Sequence, residues 1–366
     1  MHHVDEADLV ASRNRWTAWF DGTLDRGPMV HIEAPLDPPS RPLLNPAIPD
    51  SVERRWIDLG YRIAALQDSF SNRWFGGDAV PSWFPNLGPG IVGACAGPWP
   101  DFTEGSVWFN EFNDCSLENI LSRIRYDPDK RYWQLVQELS RRALKASAGE
   151  FLVGITDLGG DLDILASWRG TERLLMDLIE DPDLVKACRG AIGKLWMRLF
   201  DEQNRLLVAG GQTGFSAWLP AWYGKPWSVL QCDISVMLSP AMFEEFALPE
   251  LVEKSAVLAR SIYHLDGPEE WRHLDLVLSV PDIHAIQYVS VPGDPVNEDL
   301  HWLPYYRRIA EAGKGIFIVA RDAGKVLGLA KRMPAGRLAC QLQLGSRAEA
   351  EEFLTRLGRK TRGVFS

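Results

Sequence analysis

The chain has 366 residues, 46% of them hydrophobic, and carries a formal net charge of −10. That length and apolar share allow one large core, and the acidic balance, with no basic stripe to offset it, excludes nucleic acid as a partner. No run approaches the roughly 20 apolar residues of a membrane span, and the opening Met1-His2-His3-Val4-Asp5-Glu6 lacks a basic-then-apolar leader, so a cytoplasmic protein without a membrane partner is expected.

Residues 5–20 read as a helix and Met29-Val30-His31-Ile32-Glu33 as the first strand. Val52, Trp56, Leu59, Ile63, Leu66 and Phe70 mark one face of a long helix, with Asp50 or Ser51 as its cap. Residues 71–116 are rich in Gly, Pro, Trp and Phe without periodicity, which suggests a lid or binding loop. From Phe151–Thr156 onward, strands and helices alternate. Strands are expected at 229–232, 261–265, 285–289, 316–320 and 338–342. Helices are expected at 171–180, 182–209, 240–259, 268–279, 303–312, 324–333 and 347–357. Strands separated by helices mean parallel βαβ units. Their number fits a closed ring. The expected fold class is therefore α/β: a single (β/α)8 TIM barrel with an N-terminal helical extension and long aromatic βα loops. One domain spans residues 1–366, with 1–50 as the extension and first strand.

In such a barrel, polar residues at the C-terminal ends of strands face the substrate. The sharpest signal is Ser261-Ile262-Tyr263-His264-Leu265-Asp266-Gly267-Pro268. Alternation puts His264 and Asp266 on one face, where they can bind a metal ion or share a proton; a hydrogen-bonded strand terminus is the competing reading. Gln231 and Asp233 share a face at another strand end. Asp233 is a catalytic candidate or a turn cap, and Gln231 a substrate contact. Asp157 and Asp161, around Gly159-Gly160, either bind substrate or cap the next helix. Asp78 and Asn86, in an aromatic setting, are weaker substrate-binding candidates. Trp218, from a second aromatic stretch at 218–227, is a candidate pocket wall, with packing of a long loop as the competing reading. His31 and Glu33 share a face of the first strand and belong with these guesses. The five cysteines, Cys95, Cys115, Cys188, Cys232 and Cys340, form no C-x-x-C pair, which argues against a disulfide framework or a local zinc knot.

The Asp233 strand followed by Leu238-Ser239-Pro240-Ala241-Met242-Phe243-Glu244-Glu245-Phe246 and Leu248-Pro249 resembles a segment of the uroporphyrinogen decarboxylase superfamily. Gly76-Gly77-Asp78-Ala79, the His264–Pro268 stretch and Ala312-Gly313-Lys314-Gly315 fall in the order this resemblance implies, over roughly residues 50–360. The superfamily contains cofactor-free decarboxylases and zinc-dependent methyltransferases that serve thiol or corrinoid acceptors. The chain departs from the decarboxylases. Their Arg-bearing motif after the first strand is replaced by Glu33-Ala34-Pro35-Leu36-Asp37, and their catalytic Asp by Asn86. These departures point away from a porphyrinogen and to a small, non-porphyrin substrate. Against the methyltransferases, His264-Leu265-Asp266 resembles their H-x-C ligand pair with Asp in place of Cys, and Cys340 on the last strand is the candidate third ligand, with a free buried core cysteine as the competing reading. The resemblance thus implies zinc on His264, Asp266 and Cys340.

The leading expectation is an enzyme acting on a small non-porphyrin substrate, by methyl (one-carbon) transfer at a site with His264, Asp266 and Asp233 as catalytic residues. A metal-free decarboxylase or lyase is the alternative, and a non-catalytic ligand-binding barrel the second alternative. The resemblance also implies a thiol or a corrinoid protein as methyl partner, with the corrinoid carried by that partner, and a homodimer.

Overall fold

A computed structural model describes residues 6–358; residues 1–5, including His2, His3 and the segment on which the absence of a leader rests, lie outside the described residues. The strands in chain order are β1 (Met29–Pro35), β2 (Arg73–Gly77), β3 (Ser82–Trp83), β4 (Asp101–Phe102), β5 (Val107–Trp108), β6 (Leu152–Val153), β7 (Ser228–Leu230), β8 (Ser261–Asp266), β9 (Ala285–Val289), β10 (Gly315–Ala320) and β11 (Leu338–Gln343). Seven form a central sheet in the order β2-β1-β11-β10-β9-β8-β7. Every neighbouring pair in it is parallel except β1–β2. β3 and β6 form a separate parallel pair, and β4 and β5 a short antiparallel ribbon. From β7 to β11, chain order and sheet order coincide, with a helical crossover in each connection, as parallel neighbours require.

The period-2 alternation of the strands divides the core in two. Val30, Ile32, Tyr263, Leu265, Ile286, Tyr288, Ile316, Ile318, Leu338 and Leu342 join the helices in one apolar cluster. The intervening Met29, Val229, Ile262, Ala285, Phe317 and Ala339 join another, together with Trp16, Trp19 and Phe20 of the helix Glu6–Phe20. Trp16 stacks on Phe317 with ring centroids 6.3 Å apart, so this helix closes the inner face at the start of the strands. Further along the strands the inner face turns polar: His31, Glu33, His264, Asp266, Gln287 and Gln341 occupy it.

The sequence and the structure differ where polar groups override periodicity. The apolar face from Val52 to Phe70 is split into helices Val52–Ile57 and Leu59–Ser71, because Asp58 leaves the helical conformation and accepts the Tyr61 N–H as an N-cap. The helix expected from Pro240 passes through a π turn at Phe243–Ala247, next to Pro249, which has no N–H to continue an α-helical ladder. Residues 71–116 are not a free aromatic lid. Trp74 and Phe75 lie in β2 and are each 1% exposed, and Leu87, Ile91, Val92 and Cys95 join the main core. Trp99 packs edge-on against Tyr132 of the helix Arg131–Ser147 at 5.5 Å. No helix among the described residues is long and apolar enough to cross a membrane.

Candidate functional site

Strand β8 carries the centre of the site. Ile262 lies in the inner apolar cluster while Tyr263 and Leu265 face the helices, so alternation aims His264 and Asp266 into the polar mouth. Gly267, at φ +97, then turns the chain away. On the neighbouring strand, Asp233 follows β7 as the first residue of a 3-10 turn, Asp233–Met237. Ligating atoms of Asp233, His264 and Asp266 all lie within 4.8 Å of one another.

Two side chains fix the imidazole. His264 Nδ1 is hydrogen-bonded to Oε1 of Gln287, its register partner on β9. An amide oxygen only accepts, so Nδ1 carries the proton and Nε2 presents its lone pair. Trp218 stands edge-to-face on the ring at 5.4 Å.

Asp233 is presented by Asp163, whose carboxylate accepts the backbone N–H groups of Asp233 and Ile234 at 3.0 and 2.8 Å. Asp163 lies in the first turn of the helix Asp161–Arg169, and two glycines let that turn press against the strand ends. A Cβ at Gly160 would fall 2.4 Å from the Gln231 carbonyl oxygen, and one at Gly159, already at φ +85, 2.5 Å from Gly90 Cα. Asp157 completes the wall, its Oδ1 accepting the N–H of Gly159 at 3.0 Å and that of Gly90 at 3.3 Å.

The cluster is rich in carboxylates and poor in cations. Burial raises Asp157 to about 6, against the pull of His264. Burial, then repulsion from Asp266 and Asp157, lifts Asp233 to about 7. Asp163 rises to about 7 through burial and the nearby Asp233. Asp233 Oδ1 is buried without a hydrogen-bond partner, which costs about 1–3 kcal/mol if nothing fills the vacancy. One imidazole nitrogen and two carboxylate oxygens are a donor set zinc accepts, with a fourth position left open, as catalytic zinc sites have. The unsatisfied Oδ1 and the excess of buried negative charge fit such an ion.

No protein-family model and no curated protein sequence matches the chain. Its fold does have a solved counterpart. A methyltransferase from Methanosarcina mazei superposes with a TM-score of 0.56 at 11% identity, covering 92% of this chain and 93% of that one. The likeness shows the fold alone: a mixed α/β architecture around a mostly parallel sheet, shared along nearly the whole length.

Of the residues singled out in the sequence, His264, Asp266, Asp233, Asp157 and Trp218 meet at this mouth, and Gln231 is buried just ahead of Asp233. Four others do different work. Cys340 is not a third ligand. Register aligns it with Val30 and Ile318, both on the helix-facing side, and it lies fully buried in that core with its Sγ 3.6 Å from the Met29 carbonyl. Asp233, not Cys340, is the third side chain that converges with His264 and Asp266. Asp161 is no substrate contact either. It is buried and ion-paired with Lys254 at 2.7 Å, and Lys254 also holds Glu250. Asp78 sits at the opposite, N-terminal end of β1, where it binds Arg15 Nε at 2.8 Å and the Val30 N–H at 2.9 Å and ties down the first helix. Asn86 turns its own loop by accepting the Gly88 N–H at 3.0 Å. The sequence reading missed Gln287, an ordinary strand residue by pattern. It also passed over Asp163, although two carboxylates at 161 and 163 after a Gly-Gly pair were visible.

Proposed function

We propose that the chain is a methyltransferase-type enzyme of the uroporphyrinogen decarboxylase superfamily, built on a (β/α)8 barrel. Its site would hold zinc on Asp233, His264 and Asp266 and act on a small, non-porphyrin substrate. The observation that carries this reading is the convergence of those three side chains at the ends of β7 and β8, with Asp233 Oδ1 left unsatisfied. Ring closure would run from β6 through the segment at Ser216, whose carbonyl accepts the Ile155 N–H at 3.0 Å. The methyltransferase from Methanosarcina mazei, with the same fold, supports the activity class.

His264 would donate Nε2, the nitrogen that Gln287 leaves free. Asp233, held through its backbone by Asp163, and Asp266 would supply carboxylate oxygens. A zinc ion held by these residues would supply a Lewis acid able to lower the pKa of a thiol acceptor. Asp157, raised to about 6 by burial, would take up the proton that the acceptor loses. Trp218 gives the pocket an apolar wall. The methyl group would come from a corrinoid carried by a partner protein, and the enzyme would work as a cytoplasmic homodimer. A metal-free decarboxylase or lyase is the second reading, favoured by the same raised Asp157 and Asp233, which hold protons close to neutrality.

Elemental analysis of protein grown with zinc separates the two. One zinc per chain, lost in the His264→Ala/Asp266→Ala variant but retained in Cys340→Ser, is the expected result. It would be followed by methylcobalamin-to-thiol transfer assays. Wild-type protein that stays metal-free when zinc is supplied refutes the metal reading and directs the search to acid–base chemistry on small carboxylic acids.

A further inference from the structure

The polar mouth has a second wall that the metal reading does not use. Register runs His264–Gln287–Phe317–Ala339–Met29 from β8 across to β1, and His31 lies two residues beyond Met29. By alternation it shares the inner face with His264 and stands four strands away. In a ring of eight strands, four steps is the far side.

On that wall, His31 Nε2 contacts Glu33 Oε1 at 3.0 Å, and Arg73 Nη1 holds Glu33 Oε2 at 2.8 Å. Burial alone would raise the Glu33 carboxyl, but His31, Arg73 and Gln341 outweigh it and keep the group below its usual range, and so ionised. An ionised carboxylate only accepts, so Nε2 carries a proton, and in the neutral ring Nδ1 then presents a bare lone pair. That Nδ1 is buried with no hydrogen-bond partner, in a side chain 1% exposed. A buried polar atom left unpaired on the wall of a site is open to a ligand or a water.

We propose that His31 Nδ1 is the acceptor for a hydrogen-bond donor on the substrate, an ammonium or hydroxyl group, while the other end of the same molecule sits at Asp233, His264 and Asp266. This rests on the reading of those three residues as the reacting centre. The chemistry selects the class. A lone pair cannot bind a carboxylate or sulfonate, and Asp157, Asp233 and Asp266 repel anions. Arg73, the cation at this wall, is engaged by Glu33. The ligand is therefore a small neutral or cationic bifunctional molecule, and an aminothiol is the simplest that meets both ends.

The test uses the full chain loaded with Co²⁺ and three thiols: 2-aminoethanethiol, ethanethiol and mercaptoacetate. Thiolate-to-cobalt absorption reports the sulfur end, and the ¹⁵N resonances of His31 report the other. The aminothiol should bind at least tenfold more tightly than ethanethiol, mercaptoacetate more weakly than both, and only the aminothiol should shift the His31 Nδ1 resonance. His31→Phe should erase the tenfold advantage and leave ethanethiol affinity unchanged. Glu33→Gln, which frees the tautomer, should reduce the advantage and serves as the test if His31→Phe does not fold. Equal affinities for the aminothiol and ethanethiol, or a preference that survives without His31, overturns the proposal. A His31 shift without any cobalt–thiolate band would refute the metal reading and leave the acceptor site standing. The band without the shift refutes the acceptor site alone.

Discussion

Replacing Asp233 by Asn should stabilise the metal-free protein while removing its capacity to hold a metal. In the folded chain this carboxyl is raised to about 7 from an ordinary value of 3.8, first by burial and then by Asp266 and Asp157. A group whose folded pKa lies above its unfolded one favours folding when protonated. Stability is therefore greatest below about pH 4 and falls as pH rises to about 7, where the loss levels off. At 1.36 kcal/mol per unit, the ionised group costs about 4 kcal/mol above pH 7.5 and about 1.6 kcal/mol at pH 5. Asn is isosteric, carries no charge and sacrifices no bond at Oδ1, which has none. Urea unfolding of Asp233→Asn and wild type, both stripped of metal, should thus show a gain of a few kcal/mol at pH 8 that shrinks by more than half at pH 5. Equal or lower stability of the variant at pH 8 would refute the argument that this carboxylate is held ionised at a cost. Added Zn²⁺ should reverse the ranking, since binding to the folded state alone stabilises by mass action and wild type alone would bind tightly.

Gln287→Leu removes the acceptor that orients His264. Zn²⁺ affinity, measured by competition with a chromophoric chelator, should fall about 10- to 100-fold, whereas Gln287→Glu, which still accepts from Nδ1, should keep it. Cys340→Ser should leave metal affinity within about twofold and lower stability by about 1–2 kcal/mol, because it buries a hydroxyl among apolar side chains; loss of metal in this variant would refute the strand-face argument. Lys254→Met leaves Asp161 and Glu250 buried without their cation. Chemical denaturation should show a loss of about 3–5 kcal/mol.

What could be read in the sequence was whatever depends on local period. The strands β8 to β11 and the helices between them announce themselves by apolar runs and by Gly or Pro at their ends, and the His264–Asp266 pair follows from alternation alone. What could not be read depends on register or on where an element starts. The side of β11 on which Cys340 falls is fixed by pairing with Met29–Glu33, some 300 residues away in the chain. Asp161 and Asp163 look equivalent as letters. Once the helix begins at Asp161, a two-residue step turns about 200° around its axis, which sends Asp161 to Lys254 and Asp163 to the backbone of Asp233. Asp78, read as part of a loop over the mouth, belongs to the opposite end, because the turn after β2 runs back beside Val30.

The two carboxylates of that helix turn also bear on why the site exists at all. Lys254 lies between Asp161 and Glu250, and its charge compensates that buried pair within the protein. Asp157, Asp233 and Asp266 gather at His264, and among the described residues no lysine or arginine is ion-paired with them. Asn at position 157 could keep the two N–H groups that Asp157 Oδ1 accepts without a charge, whereas Asp163 uses both oxygens, one on each N–H of Asp233 and Ile234. Burial and neighbouring carboxylates raise Asp233, and its Oδ1 is left unbonded, a cost to the fold that the proposed bound ion would offset.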